Sequence, residues 1–161
     1  MAWPSNPEMP GQPSIPKIYR GTYRHGIDPK KRITIPSVWC PEDEEVSDFC
    51  IRIDSTESYI MALLPERFAS ILESIESDPT LSEIDRRDYA RYYNSTTLQC
   101  GVDKQRRMVL PADFCQAIHL EGEAVLVGNT GQIEIWNPAR WEAYRQASEA
   151  RNKAFFKSRG L

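Results

Sequence analysis

The chain has 161 residues, 40% apolar and 27% charged, with a net charge of −3. This is ordinary globular composition, enough for one packed domain or two small intertwined halves, and no apolar run nears the ~18 residues of a membrane span. The opening Met-Ala-Trp-Pro lacks the basic stretch and apolar core of a secretory signal, so a cytoplasmic protein is expected.

Residues 1–16 carry Pro at 4, 7, 10, 13 and 16. A period of three fits polyproline II, which has three residues per turn and no internal hydrogen bonds. The composition predicts a solvated, flexible arm over 1–17. From Tyr19 the pattern changes to strands. Tyr23, Gly26-Ile27 and the alternating Ile33-Thr34-Ile35 flank an Asp-Pro-Lys-Lys turn, and Pro36, which cannot donate to a ladder, ends the run. Beyond Trp39 and an acidic Pro-Glu-Asp-Glu-Glu loop, Phe49-Cys-Ile-Arg-Ile and Tyr59-Ile-Met-Ala-Leu read as a second pair of strands.

Leu64-Pro65 opens a helix with Pro at its first position, and Phe68, Ile71, Leu72 and Ile75 recur at helical spacing up to Asp78-Pro79. Thr80-Leu-Ser-Glu83 has the form of a capping box for a further helix, with Leu81, Ile84 and Tyr89 as its apolar stripe and Arg86, Arg87 and Arg91 on its wetter side. Strands resume near Thr96. Val125-Leu-Val-Gly-Asn-Thr-Gly-Gln-Ile-Glu-Ile-Trp136 reads as a hairpin around a Gly/Asn turn. Asn137 caps a helix that starts at Pro138 and buries Trp141, Tyr144 and Ala147. The closing Arg-Asn-Lys-Ala-Phe-Phe-Lys-Ser-Arg reads as a fraying basic tail.

Two of these stretches are one stretch written twice. Gly-Ile-Asp-Pro-Lys-Lys-Arg-Ile-Thr-Ile-Pro at 26–36 returns at 101–111 as Gly-Val-Asp-Lys-Gln-Arg-Arg-Met-Val-Leu-Pro, so Gly26/Gly101, Asp28/Asp103, Arg32/Arg107 and Pro36/Pro111 are all 75 residues apart. Ile60 and Leu63-Leu-Pro-Glu-Arg-Phe68 likewise return, at a shift of 73, as Ile133 and Trp136-Asn-Pro-Ala-Arg-Trp141. The chain therefore holds one β-β-β-β-α unit of about 45 residues twice. Charge follows the repeat: residues 16–39 carry +5 and 99–111 carry +2, while 40–98 carry −9. The net charge hides two basic tips, the electrostatic footprint of a protein that meets a polyanion.

Asp28 and Asp103 stand where a carboxylate accepts hydrogen bonds from the turn's own N–H groups, which makes them structural residues of the turn. Lys30, Lys31 and Arg32 follow in one copy, and Lys104, Gln105, Arg106 and Arg107 in the other. Lys and Arg there contact phosphates, while Arg and Gln can also read guanine or adenine edges bidentately. Two tips with about two phosphate contacts each bind weakly, since each contact contributes only about −0.9 to the slope of log affinity against log salt. Several linked chains would supply the rest through effective concentration.

Cys40, Cys50, Cys100, Cys115, His25 and His119 form no C-x-x-C or H-x-x-x-H pair. They read as reduced thiols and isolated histidines, not as a zinc site, although Cys115 and His119 are spaced for one helical face. No nucleophile, base and orienting group come together, so no enzyme, cofactor or small-molecule substrate is expected.

Tyr19-Arg-Gly-Thr, the doubled Asp28-x-x-x-Arg32 and Asp103-x-x-x-Arg107 with their Pro36 and Pro111, the Val125-Leu-Val-Gly strand and Glu134-Ile-Trp136 together resemble the MraZ family, which carries two SpoVT/AbrB-type repeats. The match covers about residues 18–145. The resemblance implies an all-β to α+β fold: a double-split β-barrel of two pseudo-symmetric swapped-hairpin repeats with flanking helices. The repeats then occupy 18–68 and 95–141, separated by a helical connector at 69–94 and followed by a C-terminal helix and basic tail at 142–161. It further implies a ring-shaped homo-oligomer that binds double-stranded DNA at short repeated boxes upstream of the division and cell-wall gene cluster, controlling transcription in the cytoplasm at the nucleoid. The DNA-contacting residues carried over by position are Lys30, Lys31, Arg32, Lys104, Gln105, Arg106 and Arg107, with Arg24 beside them. The family usually has Gly just before the motif arginine, where this chain has Lys31 and Arg106. If the backbone there is left-handed, each non-glycine residue costs about 1–2 kcal/mol. The same double-repeat fold serves AbrB- and MazE-type proteins, so an antitoxin-like module that binds a protein partner is the alternative.

Overall fold

A computed structural model describes residues 17–40 and 48–161. The proline-rich arm and the acidic loop at 41–45 lie outside the described residues. In chain order the elements are β1 (Thr22–Gly26), β2 (Arg32–Thr34), a 3-10 turn (Ser37–Trp39), β3 (Phe49–Ile53), β4 (Tyr59–Leu63), α1 (Pro65–Glu76), α2 (Glu83–Ser95), β5 (Leu98–Cys100), β6 (Arg107–Val109), α3 (Ala112–Ala117), β7 (Glu123–Asn129), β8 (Gln132–Trp136) and α4 (Pro138–Ser158).

Six strands form one antiparallel sheet in the order β1-β7-β8-β4-β3-β5, and β2 pairs with β6 in a separate ladder. This order is a palindrome. Exchanging the two copies turns β1 into β5, β7 into β3 and β8 into β4. The registers obey the same exchange: Tyr23 faces Leu126 as Leu98 faces Ile51. Met61 faces Glu134, its own counterpart, and Ile33 faces its counterpart Met108. A pseudo-twofold axis therefore passes through both pairs. β1 and β5 remain sheet edges, so hydrogen bonds close no barrel among the described residues, and the fold is mixed α+β.

Period-2 alternation sends Ile33, Ile35, Ile51, Ile60, Met108, Leu110, Leu126, Ile133 and Ile135 into one continuous core shared by both copies. Each such side chain contributes about 1.5–3 kcal/mol by leaving water. The segment before β1 runs across β7: the Tyr19 N–H donates to the Asn129 carbonyl at 3.0 Å and the Gly128 N–H to the Gly21 carbonyl at 3.0 Å. A Cβ on Gly128 would sit 2.4 Å from the Tyr19 carbonyl oxygen, so only glycine allows this crossing. Trp39 locks the segment from the other side, donating its Nε1–H to the Arg20 carbonyl at 2.9 Å and standing edge-on to Tyr19 and Tyr23.

The helices depart from the sequence expectation in three places. The cap of α2 is Ser82, whose hydroxyl accepts from the Asp85 N–H at 3.1 Å. Thr80 lies two residues ahead of that cap, its N–H and hydroxyl both donating to the Asp78 carboxylate. The stripe of Leu81, Ile84 and Tyr89 is not the buried one either. Leu81 precedes the helix and Ile84 is 79% exposed, whereas Tyr93 is the buried residue, stacked on Phe68 with ring centroids 4.6 Å apart. Finally, α4 does not give way to a frayed tail but continues to Ser158, with Ser148 rather than Ala147 buried. Ion pairs of Glu149 with Arg145 and Lys153, one turn to either side, support that extension.

Candidate nucleic-acid interface

Both basic turns have the same construction. Lys31 N–H closes a turn onto the Asp28 carbonyl at 2.9 Å, and Arg106 N–H does the same onto Asp103 at 3.0 Å. Asp at the first position of such a turn, with Pro29 at the second, is the favoured chemistry. The Asp28 Oδ1 accepts from the Lys30 and Arg32 N–H groups at 3.0 and 2.9 Å, and its Oδ2 accepts from Arg32 Nε at 2.5 Å. Asp103 repeats the set with Gln105 N, Arg107 N and Arg107 Nε at 2.8, 2.9 and 2.9 Å. The Arg32 backbone N–H chiefly, and the Arg32 side chain with it, hold Asp28 below the usual carboxylate value, against an opposing push from burial. Arg107 does likewise for Asp103.

The residue that closes each turn is left-handed, with φ of 62° at Lys31 and 61° at Arg106. Both are positions where a three-residue hairpin loop places its left-handed residue, usually glycine. Lys31 and Arg106 thus hold this left-handed conformation with a side chain attached.

β2 and β6 connect the two turns. Ile33 and Met108 face the core, so Arg32 and Thr34 of β2 and Arg107 and Val109 of β6 share the outer face of the ladder. The tips lie at its two ends. Lys31 stands opposite Leu110, and Arg106 opposite Ile35, so the two are four residues apart along the ladder. At ~3.3 Å per residue that is about 13 Å, close to the rise of about four base pairs along a duplex.

The cations on this surface differ in what they are bound to. Arg32 and Arg107 each commit Nε to the turn aspartate, which fixes the plane of the guanidinium and leaves its two terminal nitrogens outside that bond. Lys30, Lys104 and Gln105 are exposed. Arg106 is half-buried, with a buried Nε that has no hydrogen-bond partner among the described residues. Arg24 is on β1 and pairs with Glu123 at 3.1 Å. Thr34 and Val109 were missed from the sequence, although strand alternation from the motif arginines would have found them. Cys115 and His119 do not share a helical face, because α3 ends at Ala117 and His119 turns left-handed at φ 53°.

Comparison with known proteins agrees with this architecture. The family model described as "MraZ protein, putative antitoxin-like" matches residues 95–158. A protein named "Transcriptional regulator MraZ" from Desulforamulus reducens is 28% identical over 83% of this chain and 91% of its own length. Those of the same name from Ligilactobacillus salivarius and Heliobacterium modesticaldum are 29% and 27% identical over 82% and 80% of this chain, and 90% and 87% of their own lengths. The chain is thus similar to these MraZ proteins over most of its length. The family model falls on the second copy and α4, whereas the alignments with the relatives, at 129–133 residues, are too long to lie on one copy alone. Among the described residues no helix is long and apolar enough to cross a membrane, and no group of three or more His, Cys, Asp or Glu is placed to hold a metal ion.

Proposed function

We propose that this protein is a sequence-specific, DNA-binding transcriptional regulator that works as a homo-oligomeric ring in the cytoplasm, at the nucleoid. The observation that carries the reading is the pairing of two identically built cationic turns on one ladder, about 13 Å apart at ~3.3 Å per residue. Lys30, Lys31, Arg32, Lys104, Gln105, Arg106 and Arg107 are the contact residues, and Asp28 and Asp103 hold their loops. The relatives' name, transcriptional regulator, supports the role. In this reading the targets are short repeated boxes upstream of the division and cell-wall gene cluster, the cross-paired strands are the halves of a double-split barrel, and no catalysis is involved.

A mobility-shift assay on the DNA upstream of the protein's own gene, with scrambled competitor, tests it. Retarded bands that survive the competitor and weaken steeply between low and moderate salt are expected. The family's antitoxin-like description supports a second reading, a protein-binding module. A salt-insensitive complex with a protein partner, and no shift of the DNA, would establish that reading instead.

A further inference from the structure

Between the two tips, the outer face of the β2–β6 ladder has a chemistry of its own. Arg32 stands opposite Val109 and Thr34 opposite Arg107. The face therefore carries two cross-strand pairs about 7 Å apart at ~3.3 Å per residue, close to the rise of about two base pairs. The exchange that relates the copies carries Arg32 onto Arg107 but Thr34 onto Val109. Symmetry is thus kept in the charge and broken in what lies beside it. Thr34 is half-buried. Val109 is 57% exposed and lines an open groove with Asp103, Arg107 and Pro111, so its methyls meet open space next to the second turn. A lone exposed valine suits a strand and in general needs no partner. Here it is the one apolar side chain among the four on this face, directly across from one fixed guanidinium and two positions along from the other.

We infer that Val109 reads a thymine through its 5-methyl group, next to a base edge met by Arg32. The inference rests on the DNA reading above and deepens it by naming a base and the residue that selects it. The major groove admits a two-stranded β-ribbon, and each base pair shows a distinct pattern there. A guanidinium matches the two acceptors of guanine, while the thymine methyl is the apolar feature that the groove presents. Arg32 and Arg107 hold their Nε on Asp28 and Asp103, so their terminal nitrogens project in set planes. Facing residues of a ladder have Cβ atoms about 5 Å apart, which lets Arg32 and Val109 meet neighbouring groups of one base step. Valine is stiff at χ1, so it presents its two methyls at little cost in side-chain freedom. Thr34, at the related position, carries a hydroxyl that serves any base. The two ends of the face therefore read different bases, and a box is read in one direction.

For the test, the DNA upstream of the protein's own gene is amplified once with thymidine and once with deoxyuridine triphosphate, so that the second duplex lacks every 5-methyl group. Fluorescence anisotropy titrations with the full chain, at one fixed salt concentration, compare the two. The parent should bind the thymine duplex about fourfold more tightly or better, which is what one buried methyl group contributes. In Val109→Ser that preference should vanish. Uracil also alters the stiffness of the duplex, and the serine variant separates the two effects, because a preference carried by stiffness survives the substitution. Val109 is exposed, so thermal melts by circular dichroism should match the parent; should the variant melt early, Val109→Gln is read in the same way. Single thymine-to-uracil replacements in the shortest duplex that binds should place the sensitive thymine on one side of each box. Equal parental affinity for both duplexes, a preference that survives in the Val109 variants, or equal sensitivity on both sides of a box overturns the inference and leaves the DNA reading standing. A parent that binds neither duplex defeats the DNA reading, and this inference with it.

Discussion

Lys31 and Arg106, 75 residues apart in sequence, each give a carbonyl oxygen to the strand that leaves the other's turn. Leu110 N–H donates to Lys31 at 2.9 Å and Ile35 N–H donates to Arg106 at 2.8 Å. Each tip is thereby anchored by the far copy, and both bear a side chain in a left-handed conformation that favours glycine. Replacing either with Gly should relieve about 1–2 kcal/mol of backbone strain, less about 0.4–1 kcal/mol for the extra freedom of an unfolded glycine. Lys31→Gly and Arg106→Gly should therefore be neutral to about 1 kcal/mol more stable in urea unfolding. If the two side chains contact phosphate, each variant should also lower the salt slope of duplex binding by about 0.9. A loss of stability in both would show that the side chains hold the turn.

Asp28 and Asp103 should make the tips acid-sensitive. Their folded carboxyls are held below the ordinary 3.8. A lowered folded value means that the stabilisation is complete above the unfolded value and disappears as pH falls through the folded one. The difference in melting temperature between the parent and an Asp28→Asn, Asp103→Asn double variant should be largest near neutral pH and shrink below pH 3.8. A difference that stays constant across that range would mean that charge is not what the turns use.

Arg32→Ala and Arg107→Ala should weaken duplex binding and reduce its salt dependence while the chain stays folded. The turn keeps its two backbone donors to each aspartate in both variants, so the loop loses orientation of the guanidinium and not its closure. Fluorescence anisotropy with a labelled duplex, paired with circular dichroism melts, separates the two effects. An unfolded variant would assign the arginine to structure instead of contact.

Gly128→Ala should destabilise the protein by about 1–3 kcal/mol, the usual cost of forcing atoms into a filled site. The added methyl would meet the Tyr19 carbonyl oxygen, so the chain ahead of β1 must lift off β7. Hydrogen exchange at the amides of Tyr19 and Gly128 should accelerate more than at Ile133, deep in β8. Uniform acceleration would mean that the strain spreads through the sheet.

The doubled turn was legible in the sequence because its information is local: Asp at the start of a turn, cations after it, proline at the end of the strand. The starts of α1 and α4 were legible for the same reason, through Pro65 and the pair Asn137-Pro138. Strand partnership was not. Tyr23 meets Leu126 across about a hundred residues, and alternation states which face is buried but not what lies beside it. The ion pair of Arg24 was hidden on that account, since its partner Glu123 is equally remote. The stripe on α2 failed because periodicity takes apolar residues as inward, and on this helix Ile84 and Tyr92 look outward. Its cap was displaced because the helix starts at Glu83, two residues later than the Thr80 box implies, and Ser82 caps it.

The palindromic strand order has a consequence for how the polypeptide can be divided. A cut in the short link at 78–80 would leave one fragment ending in β3, β4 and α1 and another holding β5 through α4, each with unsatisfied strands on both flanks. Each fragment offers what the other lacks, so two separately expressed pieces should reassemble on mixing, whereas either by itself has only another of its own kind to complete it.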